Sequence, residues 1–311
     1  MPKERRATFT DYVSYMALRV AICVFQAMRV ETGAMVMRFA AWLFCDVLKI
    51  RRAVTDENLR HAFPEMSADE RHRLMRQMWE NLLYLVLEVA HSPRKIHETN
   101  WREYVDLEHS DRAVRALLQG RSVMVVTAHF GNFEVAGYVL AILGFPSYSV
   151  ARPLDNPLID RFLNRFRSGT GQHIVAKHGE YDQIEQILGN AGTMAFLADQ
   201  YAGAKGCWVD FFGRKASAHK AIALLSLAND AIVLTTASYR REPMRFCLDT
   251  TAEFDPRRDQ DLGTIRGLTE WYTQRLEEMI RNQPGQYWWL HRRWKDTRER
   301  AKKKRQQRKA A

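Results

Sequence analysis

Short uncharged apolar runs alternate with amphipathic segments through the middle of the chain. The run at residues 122–127 is rich in Val and carries no charge, which is the pattern of a strand buried on both faces. Strands that alternate with helices predict an α/β fold with a mixed, mostly parallel central sheet covered by helices. Further strands are predicted at residues 148–151, 173–176, 193–198, 232–239 and 245–251, and helices at residues 67–90, 135–143, 156–166, 181–188, 216–228 and 262–281.

The N-terminal part has a different pattern. Residues 12–28 and 33–48 are largely apolar but are interrupted by Arg19, Arg38 and Asp46. Neither run reaches the roughly 18 uncharged residues of a spanning helix, and no small-residue cleavage site marks a secretory signal. We therefore predict an apolar helical segment at a membrane interface, with arginine head groups reaching toward the lipid head groups. The alternative is a helical hairpin buried inside the domain.

The positive charge is concentrated at the C-terminus. Of the net charge of +11, a surplus of nine lies from His291 onward, where eleven Lys or Arg face two acidic residues. Such a tail binds nucleic acid, contacts an anionic membrane, or is a solvated, disordered end. We predict three parts: a membrane-associating segment over residues 1–50, an α/β domain over 51–295, and a basic, disordered tail over 296–311.

Cysteine spacing and the absence of common motifs exclude several classes of protein. The four cysteines are far apart in the sequence, which indicates a reduced, cytoplasmic setting without a disulfide framework. His173 and His178 are the only pair near metal-ligand spacing, and without supporting acidic residues or cysteines they predict no metal. No dinucleotide fingerprint, phosphate-binding loop or serine-hydrolase elbow is present, so no cofactor is expected.

The strand at residues 122–127 leads into a turn that could carry catalysis. His129 follows the strand, Gly131 and Asn132 suit a turn and a helix N-cap, and Glu134 falls in the first helical turn. This arrangement predicts a general base, His129, whose ring is held by Glu134. The alternative is an ordinary surface or capping pair. Ligand sites of parallel sheets lie at the carboxyl ends of strands, which favours the catalytic interpretation.

The run HFGNFE at residues 129–134 resembles the H-x4-D/E signature of the glycerolipid acyltransferases, and specifically the bacterial late (secondary) acyltransferases of lipid A biosynthesis. The resemblance covers about residues 50–295. It departs at Gly285, where the family usually has Glu, and at residues 216–220, which lack the family's Thr-rich stretch. Five further blocks resemble that family: NL with FPE at residues 58–65, RPLDNPLID at 152–160, Asp-Gln at 199–200, FFG at 211–213 and PGQYWWLHRRWK at 284–295.

The resemblance implies a glycerolipid acyltransferase-like fold and acyl transfer from a thioester to a hydroxyl of a membrane lipid. The donor is acyl carrier protein or acyl-CoA, and a lipid A precursor is the expected acceptor. His129 would take the hydroxyl proton, Glu134 would orient the imidazole, and amides near the turn would bear the oxyanion charge. Further contacts with substrate are expected from Gly131, Asn132, Arg152, Asp199, Gln200, Gly213, Arg292 and Arg293.

The same resemblance implies an enzyme on the cytoplasmic face of the bacterial inner membrane, peripheral or anchored by its N-terminus. Basic residues near the C-terminus would face an anionic membrane surface or an acidic carrier protein. One alternative is acylation of a lysophospholipid, an amino-acid lipid or a mannosylated phosphoinositide. The remote alternative is a non-enzymatic nucleic-acid-binding protein that uses the Trp-rich, basic C-terminus.

Overall fold

The computed structural model describes residues 6–151, 153–169, 171–176 and 181–295. The helices are α1 Phe9–Ala27, α2 Val30–Trp42, α3 Arg52–Ala62, α4 Ala68–Lys95, α5 Ser110–Leu118, α6 Phe133–Ile142, α7 Pro157–Ser168, α8 Tyr181–Gly189, α9 Ala221–Ala228 and α10 Ile265–Asn282. The strands are β1 Val105–Glu108, β2 Val123–Thr127, β3 Ser147–Ala151, β4 Gln172–Ala176, β5 Thr193–Leu197, β6 Cys207–Phe211, β7 Arg214–Ala218, β8 Ile232–Glu242 and β9 Arg245–Phe254.

Seven of these strands form one sheet in the order β1-β9-β8-β2-β5-β3-β4. Its neighbours are parallel except for the antiparallel pair β8–β9. The mixed, mostly parallel sheet covered by helices is thus confirmed. Strand β2 lies in the middle of the sheet between β5 and β8, and its apolar residues Val123, Met124 and Val126 are buried. This position explains why its sequence is uncharged.

The predicted helix over residues 216–228 is only partly right. Residues 216–218 belong to β7, which pairs with β6 in a separate two-stranded hairpin, and helix α9 begins at Ala221. Phe212 and Gly213 form the hairpin turn with φ of 53° and 70°, the left-handed conformation of a two-residue turn. A side chain at Gly213 would meet nothing within 4 Å. The positive φ of the turn, and not a lack of space for a side chain, therefore accounts for the glycine.

Helix α4 runs further than predicted and forms the support for the N-terminal helices. It starts at a capping box, in which the Ser67 amide donates to the Glu70 carboxylate and the Glu70 amide donates to the Ser67 hydroxyl, and it ends at Lys95. Ala34 and Met37 of α2 pack against buried residues of α4. The helix reaches the central sheet through the buried Glu88, which bonds Arg240 of β8.

The opposite faces of α1 and α2 leave apolar side chains in solvent. Both predicted segments are helical, but they do not form a fully buried hairpin. In the part of the chain that the structure describes, no helix is long and apolar enough to cross a membrane. The largest exposed apolar side chains of these two helices are Phe9, Tyr12, Val13, Met16, Val20, Val24, Met35, Val36, Phe39 and Trp42.

The C-terminal segment at residues 284–295 packs into the protein. Trp289 is buried and its ring contacts Phe63 and Phe212 edge-on. Arg293 is buried as well, over the ring of Phe211. The expectation that this segment presents its aromatic and basic side chains to a membrane or nucleic acid is therefore wrong for these two residues. The tail over 296–311 lies outside the described residues, and the proposed division into three parts stays a prediction.

Candidate active site

The turn after β2 is fixed by backbone contacts with the C-terminal segment. The carbonyl of His129 accepts from the Trp288 amide at 3.0 Å, and the Gly131 amide donates to the Gln286 carbonyl at 3.0 Å. Gly131 has a φ of +56°, and a side chain there would overlap the Ser238 carbonyl. Only glycine fits such a position. The turn therefore has one backbone conformation, which places the imidazole at the edge of the sheet.

His129 is paired with Asp199. The ring Nδ1 lies 2.8 Å from Asp199 Oδ1, and the His129 backbone amide donates to the same oxygen at 3.1 Å. The parallel register explains the meeting, because Thr127 of β2 pairs with Leu197 of β5 and each side chain lies two residues further on. Asp199 was predicted only as a substrate contact. In the structure its carboxylate is bonded to Nδ1 of the His129 ring.

Electrostatics strengthen this pair. Burial lowers the pKa of His129, but the charge and hydrogen bond of Asp199, with a smaller effect from the charge of Glu134, outweigh it and raise the pKa above its usual value. Burial raises the pKa of Asp199, and the nearby His129 and then His291 lower it by more, so the carboxyl stays ionised. A carboxylate beside the ring favours the imidazolium that forms when His129 accepts a proton.

Glu134 does not hold the imidazole, which corrects the prediction. Its carboxylate is bound by the guanidinium of Arg167 on α7, with Arg167 Nε donating to Oε2 at 3.0 Å and a second, shorter contact from the same group to Oε1. The physical reason is that the Glu134 side chain faces away from the imidazole. Glu134 lies in the first turn of α6 and lines the cavity beneath that helix, whereas Nδ1 of His129 is bonded to Asp199, two residues past the end of β5.

A second buried network lies beneath the turn, and sequence reasoning missed most of it. Glu88 of α4 is fully buried and bonds the guanidinium of Arg240 at 2.6 Å through each oxygen. Glu88 also accepts from the Asn132 side chain at 2.7 Å. The other end of that amide caps α6 by accepting from the Val135 amide at 3.0 Å. Asn132 is therefore the predicted N-cap, and its buried side-chain amide is held by Glu88 and the Val135 amide, while the predicted substrate contact stays a prediction.

A signal for this network exists in the sequence. Glu88 interrupts the apolar stripe of α4, and Arg240 ends the apolar part of β8. Charged residues in such places are buried only when they are paired. Gln286 joins the network through the backbone of Arg240. The Arg240 amide donates to Oε1 of Gln286 at 2.8 Å, and Nε2 of Gln286 donates to the Arg240 carbonyl at 2.9 Å. No local spacing relates these residues, so the pairing itself was not predictable.

Aromatic rings enclose the imidazole on its exposed side. The ring of Trp288 lies 5.1 Å from that of His129 and the ring of Phe133 lies 5.4 Å away, measured between centroids. Tyr287 is buried next to them and its hydroxyl lies 3.2 Å from Nε2 of His291. The side chain of His129 is only 15% exposed. A reacting group at Nε2 would thus be largely screened from bulk water.

A long apolar cavity lies between α5, α6 and one face of the sheet, and its volume is about 240 Å³. Its lining includes residues of six neighbouring strands of the sheet, from β4 at one end to β9 at the other. The five spacings between these strands correspond to ~24 Å at the usual inter-strand distance. Phe133, Thr127 and Ser238 line its part next to the His129 turn. The cavity therefore has the length and the apolar lining of a site for a hydrocarbon chain, and its middle part lies next to the turn that carries a candidate base.

A family model described as "Bacterial lipid A biosynthesis acyltransferase" matches residues 3–296. The chain belongs to this family. It is 27% identical over 255 residues to the lipid A biosynthesis palmitoleoyltransferase of Escherichia coli, covering 80% of each chain, and 25% identical over 254 residues to the lauroyltransferase of the same organism, again covering 80% of each. The protein is therefore an acyltransferase, and the family resemblance seen in the sequence is confirmed.

Among solved structures, one match is the 1-acyl-sn-glycerophosphate (LPA) acyltransferase PlsC of Thermotoga maritima. The match has a TM-score of 0.40 and 12% identity, and it covers 84% of this chain and 100% of that chain.

The remaining predicted site residues of the acyltransferase lie in different surroundings. Gln200 is near the base, with its side-chain nitrogen 3.4 Å from His129 Nε2. Arg292 is exposed, whereas Arg293 is buried and donates to the Ser217 carbonyl at 2.6 Å, so its predicted role at the surface is wrong. Gly213 does not line the cavity. Arg152 lies outside the described residues.

One group of potential metal ligands in the acyltransferase was not predicted. The ligand atoms of Cys45, Asp46 and His72 lie within 4.8 Å of one another. His72 is already bonded to Asp46 at 2.7 Å, and burial, followed by the charge of Asp46, raises the pKa of the Cys45 thiol to about 11. A thiol that stays protonated is a poor metal ligand. The hydrogen bond between His72 and Asp46 accounts for the arrangement.

Proposed function

We propose that this enzyme moves an acyl chain from a thioester, on acyl carrier protein or coenzyme A, to a hydroxyl of a lipid A precursor, with His129 as general base oriented by Asp199. The observation that carries the proposal is the 2.8 Å contact between Asp199 and Nδ1. It fixes the ring and leaves Nε2, beside Gln200, for the acceptor hydroxyl. The names of the relatives support the acceptor.

The chemistry needs only groups of this chain and the two substrates. Nε2 of His129 takes the proton of the acceptor hydroxyl while the hydroxyl oxygen attacks the thioester carbonyl. The C–O bond of the ester forms, the C–S bond breaks, and the imidazolium returns the proton to the leaving thiolate. The Gly131 amide is bonded to Gln286 and is not available to the oxyanion. The amides of Phe133 and Glu134, in the first turn of α6, have no intrahelical acceptor and are our candidates for that role.

The apolar cavity would hold the hydrocarbon of the substrate. Phe133 belongs to its lining and lies four residues after His129, so a chain bound in this cavity would pass next to the turn that carries His129. Burial of a long chain supplies binding energy in proportion to the apolar area removed from water, ~25 cal/mol per Å². We propose that this binding energy holds the reacting carbonyl near Nε2.

We further propose that the exposed faces of α1 and α2 bind the cytoplasmic face of the inner membrane. Phe9, Val20 and Phe39 are 83%, 58% and 63% exposed, which is unusual for a soluble surface. Arg29 and Arg38 lie on the same pair of helices and would meet lipid phosphates. An amphipathic helix that lies in the interface needs no spanning length.

The test of the reaction is acyl transfer by the purified protein, with acyl carrier protein and coenzyme A thioesters offered against lipid A precursors, lysophospholipids and amino-acid lipids. We expect His129→Ala to abolish lipid-dependent transfer. His109→Ala is the matched control. His109 also bonds a carboxylate, that of Asp249 at 2.8 Å, but it is the N-cap residue of α5 and its side chain is exposed. Full activity of His129→Ala would refute the mechanism, and a different productive acceptor would replace the lipid A precursor.

The test of the membrane contact is co-sedimentation with vesicles that contain anionic phospholipid. We expect Phe39→Asp together with Val20→Asp to reduce binding at least tenfold, because both charges would enter the apolar layer. Leu118→Asp is the control, since Leu118 is 71% exposed but lies on α5. Equal binding of the double variant and the wild type would place the membrane contact elsewhere.

A further inference from the structure

One side chain in the apolar cavity has a buried polar atom without a hydrogen-bond partner in the described part of the chain. Gln172, the first residue of β4, lines the cavity and is only 7% exposed. Its Nε2 is buried and makes no hydrogen bond with any described residue. An unpaired amide in apolar surroundings is costly, so its presence needs an explanation.

The helix above this amide is shaped to accommodate it. Gly137 lies inside α6, where glycine weakens a helix relative to alanine. A Cβ at Gly137 would lie 2.5 Å from the Gln172 Oε1 and 2.7 Å from its amide carbon. The φ of Gly137 is not positive, so the backbone itself does not require glycine. The missing side chain is therefore explained by the space that the amide of Gln172 occupies.

Polar side chains line both ends of the cavity, but they differ in whether they are already bonded. Beneath α5 the lining combines apolar Leu117 and Leu248 with Asp249, whose carboxylate is bonded to His109 at 2.8 Å. Near β3 and β4 it includes Gln172 and Ser147, which pair in register on neighbouring strands. A cavity that held only hydrocarbon would gain nothing from an amide at one end. Pockets with few polar groups use them to orient a ligand.

We propose that Gln172 binds a hydroxyl group on the acyl chain that occupies this cavity. A hydroxyl both donates and accepts, so it matches an amide that offers Nε2 as donor and Oε1 as acceptor. The inference rests on the proposed function and deepens it by naming the class of chain. The hydroxyl belongs either to the chain that is transferred or to a hydroxyacyl chain of the acceptor lipid, and the experiment distinguishes these sources.

The first experiment measures binding without turnover. Hexadecanoate and a series of hexadecanoates with one hydroxyl at successive carbons compete with a fluorescent fatty acid for the full-length protein. We expect one hydroxyl position to bind about tenfold or more tightly than hexadecanoate, and Gln172→Met, which keeps the size but removes the amide, to abolish that preference. Ile174→Leu, a change of shape two residues along β4, should keep it.

Two binding results would overturn the proposal. One is that no hydroxyl position binds more tightly than hexadecanoate. The other is that Gln172→Met retains the preference. A cis-hexadecenoate that binds as tightly as the best hydroxylated chain, and loses this advantage in Gln172→Met, would also overturn it, because the amide would then face a double bond.

The second experiment assigns the hydroxyl by turnover. In one arm, hydroxylated and plain donors are compared with one acceptor. In the other arm, one plain donor is compared on acceptors with and without a hydroxyl on a chain that does not react. The arm whose kcat/KM ratio falls about tenfold in Gln172→Met identifies the source. Equal ratios in both arms for both proteins would refute the inference alone, whereas a binding preference without acyl transfer to any lipid would refute the proposed function and leave Gln172's role intact.

Discussion

Two carboxylates approach the His129 turn, and they are held in opposite ways. Asp199 is buried, belongs to the neighbouring strand end and bonds the imidazole. Glu134 is five residues from His129 in sequence, lies in the cavity wall and is bound by Arg167. The residue near in sequence is thus not the partner of the ring. The register of β2 with β5 decides which carboxylate reaches Nδ1.

The largest expected effect comes from replacing the buried carboxylate. Asp199→Asn should lower kcat by at least about 100-fold, the lower range of general-base contributions, because the ring loses its orientation and the charge that stabilises the imidazolium. Initial rates at substrate saturation would show this. Glu134→Gln is the matched variant, and its kcat should fall less than about tenfold. Glu134 makes no hydrogen bond to the imidazole and acts on it only through its charge. The reverse ranking would restore Glu134 as the orienting residue.

A second large effect is expected below the turn, on stability. Glu88→Gln removes the charge that neutralises Arg240 and should lower the free energy of unfolding by about 3–5 kcal/mol, since a buried cation is left unpaired. Urea unfolding measures it. Glu80→Gln on the same helix is the control, because the contact of Glu80 with Arg76 is 4.0 Å long and partly exposed, and such pairs contribute about 0–1 kcal/mol. Equal losses for both variants would contradict a special role of the buried pair.

The comparison of these residues shows what the sequence could predict. Strand β2, the turn, the N-cap Asn132 and the position of Asp199 at the same edge follow from local patterns and from the rule for parallel strands. The partner of Glu134 and the pairing of Glu88 with Arg240 do not. These contacts join residues 33 and 152 positions apart, and the packing of whole elements sets them.

The C-terminal segment teaches the same lesson. Its aromatic and basic residues resemble a surface for lipid or nucleic acid, but Tyr287 pairs with Phe130 in an isolated bridge, and this contact draws the segment over the active-site turn. The hairpin β6–β7 was also missed, because Ala-Ser-Ala is as compatible with a helix as with a strand. Exposed apolar residues of α1 and α2, in contrast, retain the surface character that their pattern predicted.

The smallest expected effect is a shift in the pH profile of kcat/KM, which tests again how differently Glu134 and Asp199 act on His129. A general base must be neutral to accept a proton, so kcat/KM should rise as the pH increases through the raised pKa of His129. Glu134→Gln removes one of the charges that raise this pKa. The acidic side of the profile should therefore move to lower pH, and only slightly because Glu134 contributes less than Asp199 to the raised pKa of His129.

The free energy of unfolding should also depend on the protonation of His129, but in the opposite direction to kcat/KM: this contribution falls as the pH increases. A histidine whose pKa is raised in the folded state stabilises the fold most fully below its ordinary pKa of 6.5, and this contribution is lost as the pH increases through the folded-state value. Unfolding free energies of wild type and Glu134→Gln at a series of pH values would test it. The variant should lose part of this stabilisation only on the acidic side. A kinetic profile that shifts while this stability difference stays flat would mean that the titrating group in kcat/KM is not His129.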